Sequence, residues 1–182
     1  MLQAIKYNDG NLTILDQLQI PYTEEYVSIR TTEEAWHAIR DMRVRGAPAI
    51  AIVAALSLAS ELSKLISNNI LPTRTGEVRE IITDKLQYLM TSRPTAVNLH
   101  DTSCKIMSLV AKYTSDPAAT GYGTAILVIQ EAESMLVKDL EDNQRIGQNG
   151  ANWIMANTID PGSPKATVLT HCNTGFVLTL PS

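Results

Sequence analysis

The 182-residue chain has only two cysteines, Cys104 and Cys172, set far apart. That count excludes a disulfide framework and the separation excludes zinc-ligand spacing, so a reducing, intracellular setting is expected. Positive charge is scarce as well. Fifteen Lys and Arg against 19 Asp and Glu leave a formal net charge of −4 and an isoelectric point near 5.3. Such a balance attracts neither nucleic acid nor an anionic membrane, and any anionic ligand needs a local positive site. The longest uncharged apolar run, GAPAIAIVAALSLAS over residues 46–60, is shorter than the ~20 residues of a spanning helix and is read as a core helix. The N-terminal MLQAIKYNDG lacks the basic-then-apolar order of a signal peptide. Internal repeats and low-complexity tracts are missing too.

What is there suits a globular protein: 45% hydrophobic and 19% charged residues, enough for one sizeable core or for a small domain plus part of a second. LQAIKYN and NLTILDQ flank Asp9-Gly10, which predicts a two-residue hairpin, and EYVSIR supplies a further strand. Thr31 followed by Glu34 is a capping box opening a helix with Trp36, Ile39 and Met42 on one face. Trp36 is expected in the core and His37 on its flank. Pro48 suits the first turn of the next helix, apolar on nearly every side to about Ile66.

Further along, Val78, Ile81, Ile82, Leu86 and Leu89 recur with helical period over 77–91, and 95–113 is expected to be helical, with Cys104 as a small buried hydrophobe. Gly121 and Gly123 resemble half of a phosphate loop but lack a preceding strand, so a plain loop is expected. A helix over 124–142 groups Ile129, Ala132, Leu136 and Leu140. A break and a short helix are predicted over 146–158, then the linker DPGSPK and a buried strand, ATVLT, at 166–170. The expected order is a small β unit, about five helices, a linker and one strand.

Three places combine residues able to do chemistry. At Arg45-Gly46-Ala47-Pro48 the glycine lets the backbone approach a ligand, while a helix start offers unpaired N–H groups and the positive end of its dipole to an anion. Gly46 is equally compatible with a tight turn and nothing more. Arg93, in Arg93-Pro94-Thr95, is either a surface charge or a second phosphate contact, since a guanidinium grips phosphate through two parallel hydrogen bonds. In Thr170-His171-Cys172-Asn173-Thr174-Gly175, a thiol stands just past the carboxyl end of the predicted strand, where ligands gather in open α/β sheets. A buried or capping role for Cys172 and His171 is the other reading.

Taken in order, MRVRGAPAIAIVAALSLA, LMTSRPTAVN, LVKDLEDNQRIGQNGA and TVLTHCNTG resemble the methylthioribose-1-phosphate isomerase family of methionine salvage and methionine biosynthesis. The wider family includes ribose-1,5-bisphosphate isomerase and, more distantly, regulatory subunits of a translation-initiation exchange factor. The similarity covers residues 1–175, with 114–128 matching less well. It implies an α/β protein whose mainly helical N-terminal domain with a small β unit, residues 1–158, precedes a linker and the first strand of a Rossmann-like domain, residues 159–182. By the same resemblance Arg45, Gly46, Ala47 and Arg93 bind the substrate, a phosphorylated sugar, and Cys172 assists catalysis.

The family's acid aspartate, a substrate glutamine and an asparagine–lysine pair lie downstream and have no counterpart here; FVLTLPS stands where an alanine-rich glycine loop would follow. The resemblance therefore implies an aldose–ketose isomerase in truncated, catalytically incomplete form, with no metal or organic cofactor. It also implies a family homodimer, a cytoplasmic and also nuclear location, and no nucleic-acid or membrane partner. The alternative is a non-catalytic regulatory or binding module like the exchange-factor subunits, against which the retained RGAPA and HCNTG weigh.

Overall fold

In the computed structural model, residues 3–157 are described together with Thr167 and Leu169. Strands β1 (Ile5–Asn8), β2 (Asn11–Leu15) and β3 (Tyr26–Ile29) form an antiparallel sheet in the order β1-β2-β3, with Asn8 opposite Asn11 and Leu12 opposite Ile29. The predicted hairpin is present. Asp9 and Gly10 have φ of 47° and 78°, the left-handed pair that a two-residue turn requires. Ile5, Leu12, Ile14 and Ile29 are buried, so one face of the sheet is turned to the helices.

Helix α1 (Thr32–Arg40) starts as its sequence dictates. The Thr31 hydroxyl accepts from the Glu34 N–H at 3.1 Å, and the Glu34 carboxylate accepts from the Arg30 N–H at 2.6 Å. Its end is less orthodox. Met42 adopts φ of 62° and lies outside the helix, 45% exposed, rather than on the Trp36–Ile39 face. The N–H of Met42 bonds to Ile39 O and that of Arg43 to Ala38 O, the paired closing bonds that pull a chain off a helix end. His37 is exposed, as expected, whereas Trp36, expected in the core, is only partly buried against its edge.

Helix α2 (Ala47–Ser67) is the centre of the protein. Every residue from Ala49 to Ser60 is buried, and α1, α3, α4, α5 and strands β1 and β2 all pack on it. By length and composition it could cross a membrane, yet 72% of its most apolar window is buried in this fold. Its small residues permit close approach. Its buried serines Ser57 and Ser60 donate to Ala54 O and Leu56 O within the helix, so no polar group is stranded.

Helix α3 (Thr75–Met90) buries Val78, Ile82, Leu86 and Leu89, and α4 (Val97–Tyr113) buries Leu99, Ser103, Ile106 and Val110. Cys104 is only half-buried, because Ser103 takes the inward position. Its Sγ lies 3.7 Å from Nδ1 of His100, one turn earlier.

Helix α5 (Gly121–Asn157) departs most from expectation: one continuous helix of 37 residues replaces the predicted helix, break and short helix. Glycines at 147 and 150 weaken a helix by about 1 kcal/mol each without forbidding it, and no proline interrupts the chain before Pro161. Side-chain pairs one turn apart, Arg145 with Asp142 at 2.9 Å and Gln148 with Asn152 at 2.9 Å, offset part of that cost. Ala125, Val128, Ile129 and Ala132 enter the core. Beyond Leu136 the helix outruns it, so Leu140, expected with that group, is 59% exposed.

Gly121 and Gly123 form no loop. Gly121 is buried in the first turn of α5 with its N–H bonded to Thr73 O, against the backbone of Pro72 and Thr73, and Gly123 meets the Tyr113 hydroxyl. Gly121 allows α5 to approach the segment before α3, and Gly123 makes room for Tyr113 at the end of α4. The linker, the predicted strand at 166–170 and the cysteine loop lie outside the described residues, except that Thr167 and Leu169 are described and neither is in a strand.

Candidate functional site

The turn between α1 and α2 carries Arg45, Gly46 and Ala47. Gly46 is the residue before α2 and holds φ of 94°, a conformation that a side chain would strain. It offers no capping side chain, no acidic residue occupies the first turn, and Pro48 has no N–H to give. The N–H groups of Ala47 and Ala49 precede the first intrahelical bond and have no helical acceptor. This start is thus positive and unshielded, as an anion site needs. Half-buried Arg45 donates from Nε to Met42 O at 3.2 Å, which leaves its terminal nitrogens for another partner.

Arg93 sits on the turn between α3 and α4, also half-buried, with its carbonyl accepting from the Ala96 N–H. Among the described residues neither Arg45 nor Arg93 is paired with a carboxylate. Their turns are tied through α1. Trp36 Nε1 donates to the Thr91 hydroxyl at 2.8 Å, and Arg40 Nη1 reaches Ser92 O at 3.4 Å. The Arg45 turn is also tied to the sheet: Arg43 pairs with Asp16, whose side chain is only 4% exposed, and Gln17 N–H bonds to Arg43 O. Cys172 and His171 lie outside the described residues.

An open hollow of about 450 Å³ beside β1 and β2, lined by Lys6, Tyr7, Asn11 and Leu136 among others, includes none of the expected binding residues. Sequence reading missed Trp36, Arg40, Arg43 and Asp16 as parts of the arrangement. Separations of 55 and 52 residues for the two α1 contacts leave no periodicity or spacing by which to find them.

A buried central helix that opens, uncapped, behind an Arg-Gly turn, with a second arginine on a turn tied to α1, defines a mainly helical domain carrying a small sheet. Residues 43–180 match the Initiation factor 2 subunit family, IF-2B, and the chain belongs to that family. It is 57% identical over 178 residues to the methylthioribose-1-phosphate isomerase of Aspergillus terreus, covering 98% of this chain and 47% of that protein. To the isomerase of the same name from Aspergillus fumigatus it is 55% identical over 179 residues, covering 98% of this chain and 46% of that one. The chain spans about half the length of the curated relatives it matches.

Among solved structures, the 5-methylthioribose 1-phosphate isomerase of Pyrococcus horikoshii OT3 superposes with a TM-score of 0.73 at 28% identity, over 84% of this chain and 40% of that one. The translation initiation factor eIF-2B subunit delta from A. fulgidus does so with a TM-score of 0.69 at 27% identity, over 84% of this chain and 42% of that one.

Proposed function

We propose that this chain supplies the phosphate-holding part of a pocket for 5-methylthioribose 1-phosphate, in the aldose-to-ketose isomerisation that yields 5-methylthioribulose 1-phosphate. The observation that carries the reading is the unshielded start of α2 behind Arg45 and Gly46, in a chain 57% identical to a protein named for that reaction. Arg45, the N–H groups around Ala47 and the guanidinium of Arg93 hold the phosphate. Cys172 polarises the C1–C2 region. Because the phosphate on C1 blocks ordinary ring opening, an acid must protonate the ring oxygen before hydrogen moves between C1 and C2, and a carboxyl group kept protonated nearby suits that task.

In this proposal that carboxyl group comes from the part of the relatives that this chain does not match. These 182 residues alone are accordingly proposed to bind the phosphosugar and to convert it at least ~10²-fold more slowly than a full-length relative, the usual cost of a missing general acid. A homodimer in the cytoplasm, with the nucleus as a second location, belongs to the same proposal.

Isothermal titration of the purified chain with 5-methylthioribose 1-phosphate tests the binding. Arg45→Ala and Arg93→Ala should each weaken it by about 10-fold or more, the value of a charge-assisted hydrogen bond. Unchanged affinity in both variants would sink the assignment, and ketose formation at the rate of a full-length relative would sink the claim of incompleteness. A regulatory module is the second reading, favoured by the likeness to eIF-2B subunit delta; stable co-purification with exchange-factor subunits, in a chain that ignores the phosphosugar, is its signature.

A further inference from the structure

We propose that Trp36 and Arg40 are positioning residues for this anion site, with α1 acting as a bracket that fixes the Arg93 turn relative to the Arg45 turn. The inference rests on the reading of Arg45 and Arg93 as phosphate contacts and adds the elements that hold them in register.

The bracket is fixed at both ends. At the Arg45 end, α1 closes on Met42 without slack: Met42, Arg43 and Val44 donate back to Ile39 O and Ala38 O, and Arg43 is anchored on Asp16. Arg45 follows within two residues. At the Arg93 end, Trp36 and Arg40 stand one turn apart on α1 and take hold of consecutive residues, Thr91 and Ser92, immediately before Arg93. Thr91 uses its own proton on Tyr88 O at 2.6 Å, so its hydroxyl oxygen is oriented to accept from the indole. The buried Ser92 hydroxyl donates to Leu89 O at 2.6 Å. The indole plane is set independently, stacked on Tyr88 at 5.7 Å and met edge-on by His37 at 4.9 Å.

Trp36 is only partly buried and Arg40 is exposed, so solvent can serve both donors when these bonds are cut. What the bonds do settle is the direction in which the chain leaves Thr91 and Ser92. A guanidinium that must meet phosphate through two parallel bonds tolerates little displacement, and errors near 1 Å are costly at such sites.

A mutant cycle read by titration calorimetry with 5-methylthioribose 1-phosphate, alongside thermal unfolding, provides the test. Trp36→Phe keeps the stacked ring and removes the donor; it should weaken binding about 2- to 10-fold, the range for one hydrogen bond, with little loss of stability. Thr91→Val should do the same and add nothing when combined with Trp36→Phe. Arg40→Lys, which keeps a donor, should lose less than Arg40→Ala. The deciding comparison is the background: Trp36→Phe should have no effect in Arg93→Ala but its full effect in Arg45→Ala. Equal effects in both backgrounds, or unchanged affinity in Trp36→Phe where Arg93→Ala is impaired, would overturn the bracket and leave the anion site standing. No effect of Arg93→Ala itself would overturn both.

Discussion

Arg43 and Asp16 form an ion pair of unequal partners, with Nη1 3.3 Å from Oδ2 and side-chain exposures of 42% and 4%. Asp16 Oδ1 also accepts from the Leu18 N–H at 2.9 Å. The cost of breaking the pair therefore depends on which side is cut. Arg43→Ala leaves a buried carboxylate with one remaining donor and should destabilise by about 3 kcal/mol. Asp16→Asn keeps an acceptor for Leu18 and releases a guanidinium that water already reaches, for a loss of about 1 kcal/mol. Urea unfolding of both variants would show the asymmetry, and equal losses would contradict it.

Two glycines of α5 should respond in opposite directions to alanine. A Cβ at Gly121 would press on the backbone of Pro72 and come within 2.9 Å of Thr73 O, atoms that cannot rotate away. Gly121→Ala should cost about 1–3 kcal/mol. Gly150 has open space around it and sits inside the same helix, so Gly150→Ala should gain about 1 kcal/mol of local helix stability. Far-UV circular dichroism through a thermal ramp would report both.

Met42 occupies, at φ of 62°, the left-handed position just past the end of α1. A non-glycine residue there costs about 1–2 kcal/mol, against a penalty of roughly 0.5–1 kcal/mol for the greater freedom of glycine in the unfolded chain. Met42→Gly should raise stability by about 0.5–1 kcal/mol, read as a higher urea midpoint with unchanged slope. The equivalent position after α2 is Asn69, φ of 56°, a residue that accepts this conformation more readily, and Asn69→Gly should gain less.

Burial first, and then the charge of Glu133, pushes the Tyr7 hydroxyl from its ordinary 10 up to about 12. Ser63, Glu133 and the Gly10 backbone lie near that hydroxyl, but none of them makes a well-formed hydrogen bond with it. Unfolded chains release this proton near pH 10 and the folded protein holds it to about 12, so the contribution is intact below pH 10 and is lost as pH rises through that window. In Tyr7→Phe the alkaline decline in stability between pH 10 and 12 should be shallower. At neutral pH that variant should be as stable as the parent or slightly more so, because an unsatisfied buried hydroxyl is removed.

Much of the fold was legible because its determinants are close in sequence. Asp9-Gly10 forced the hairpin, Thr31 with Glu34 started α1, and the periods of α2 and α3 fixed their buried faces within a residue or two. The misreadings of the helix ends and of the α5 break share one cause. Gly121, Gly147, Gly150 and Met42 were judged by local preference, and preferences of about 1 kcal/mol yield to packing and to continuation of an existing helix. Of the candidate site, the sequence pointed to Arg45, Gly46, Ala47 and Arg93 individually, while the elements joining their turns left no local trace.

By itself the sequence determined the hairpin, the start of α1, the buried faces of α2 and α3, and that an arginine and a glycine precede the uncapped central helix, because such features depend on neighbours within about one helical turn. Only the tertiary structure decided that Trp36 meets Thr91, that Arg43 finds Asp16, and that Gly121 lets α5 settle on Pro72 and Thr73. Those contacts join residues tens of positions apart, and their energies exist only once the whole core has closed around α2.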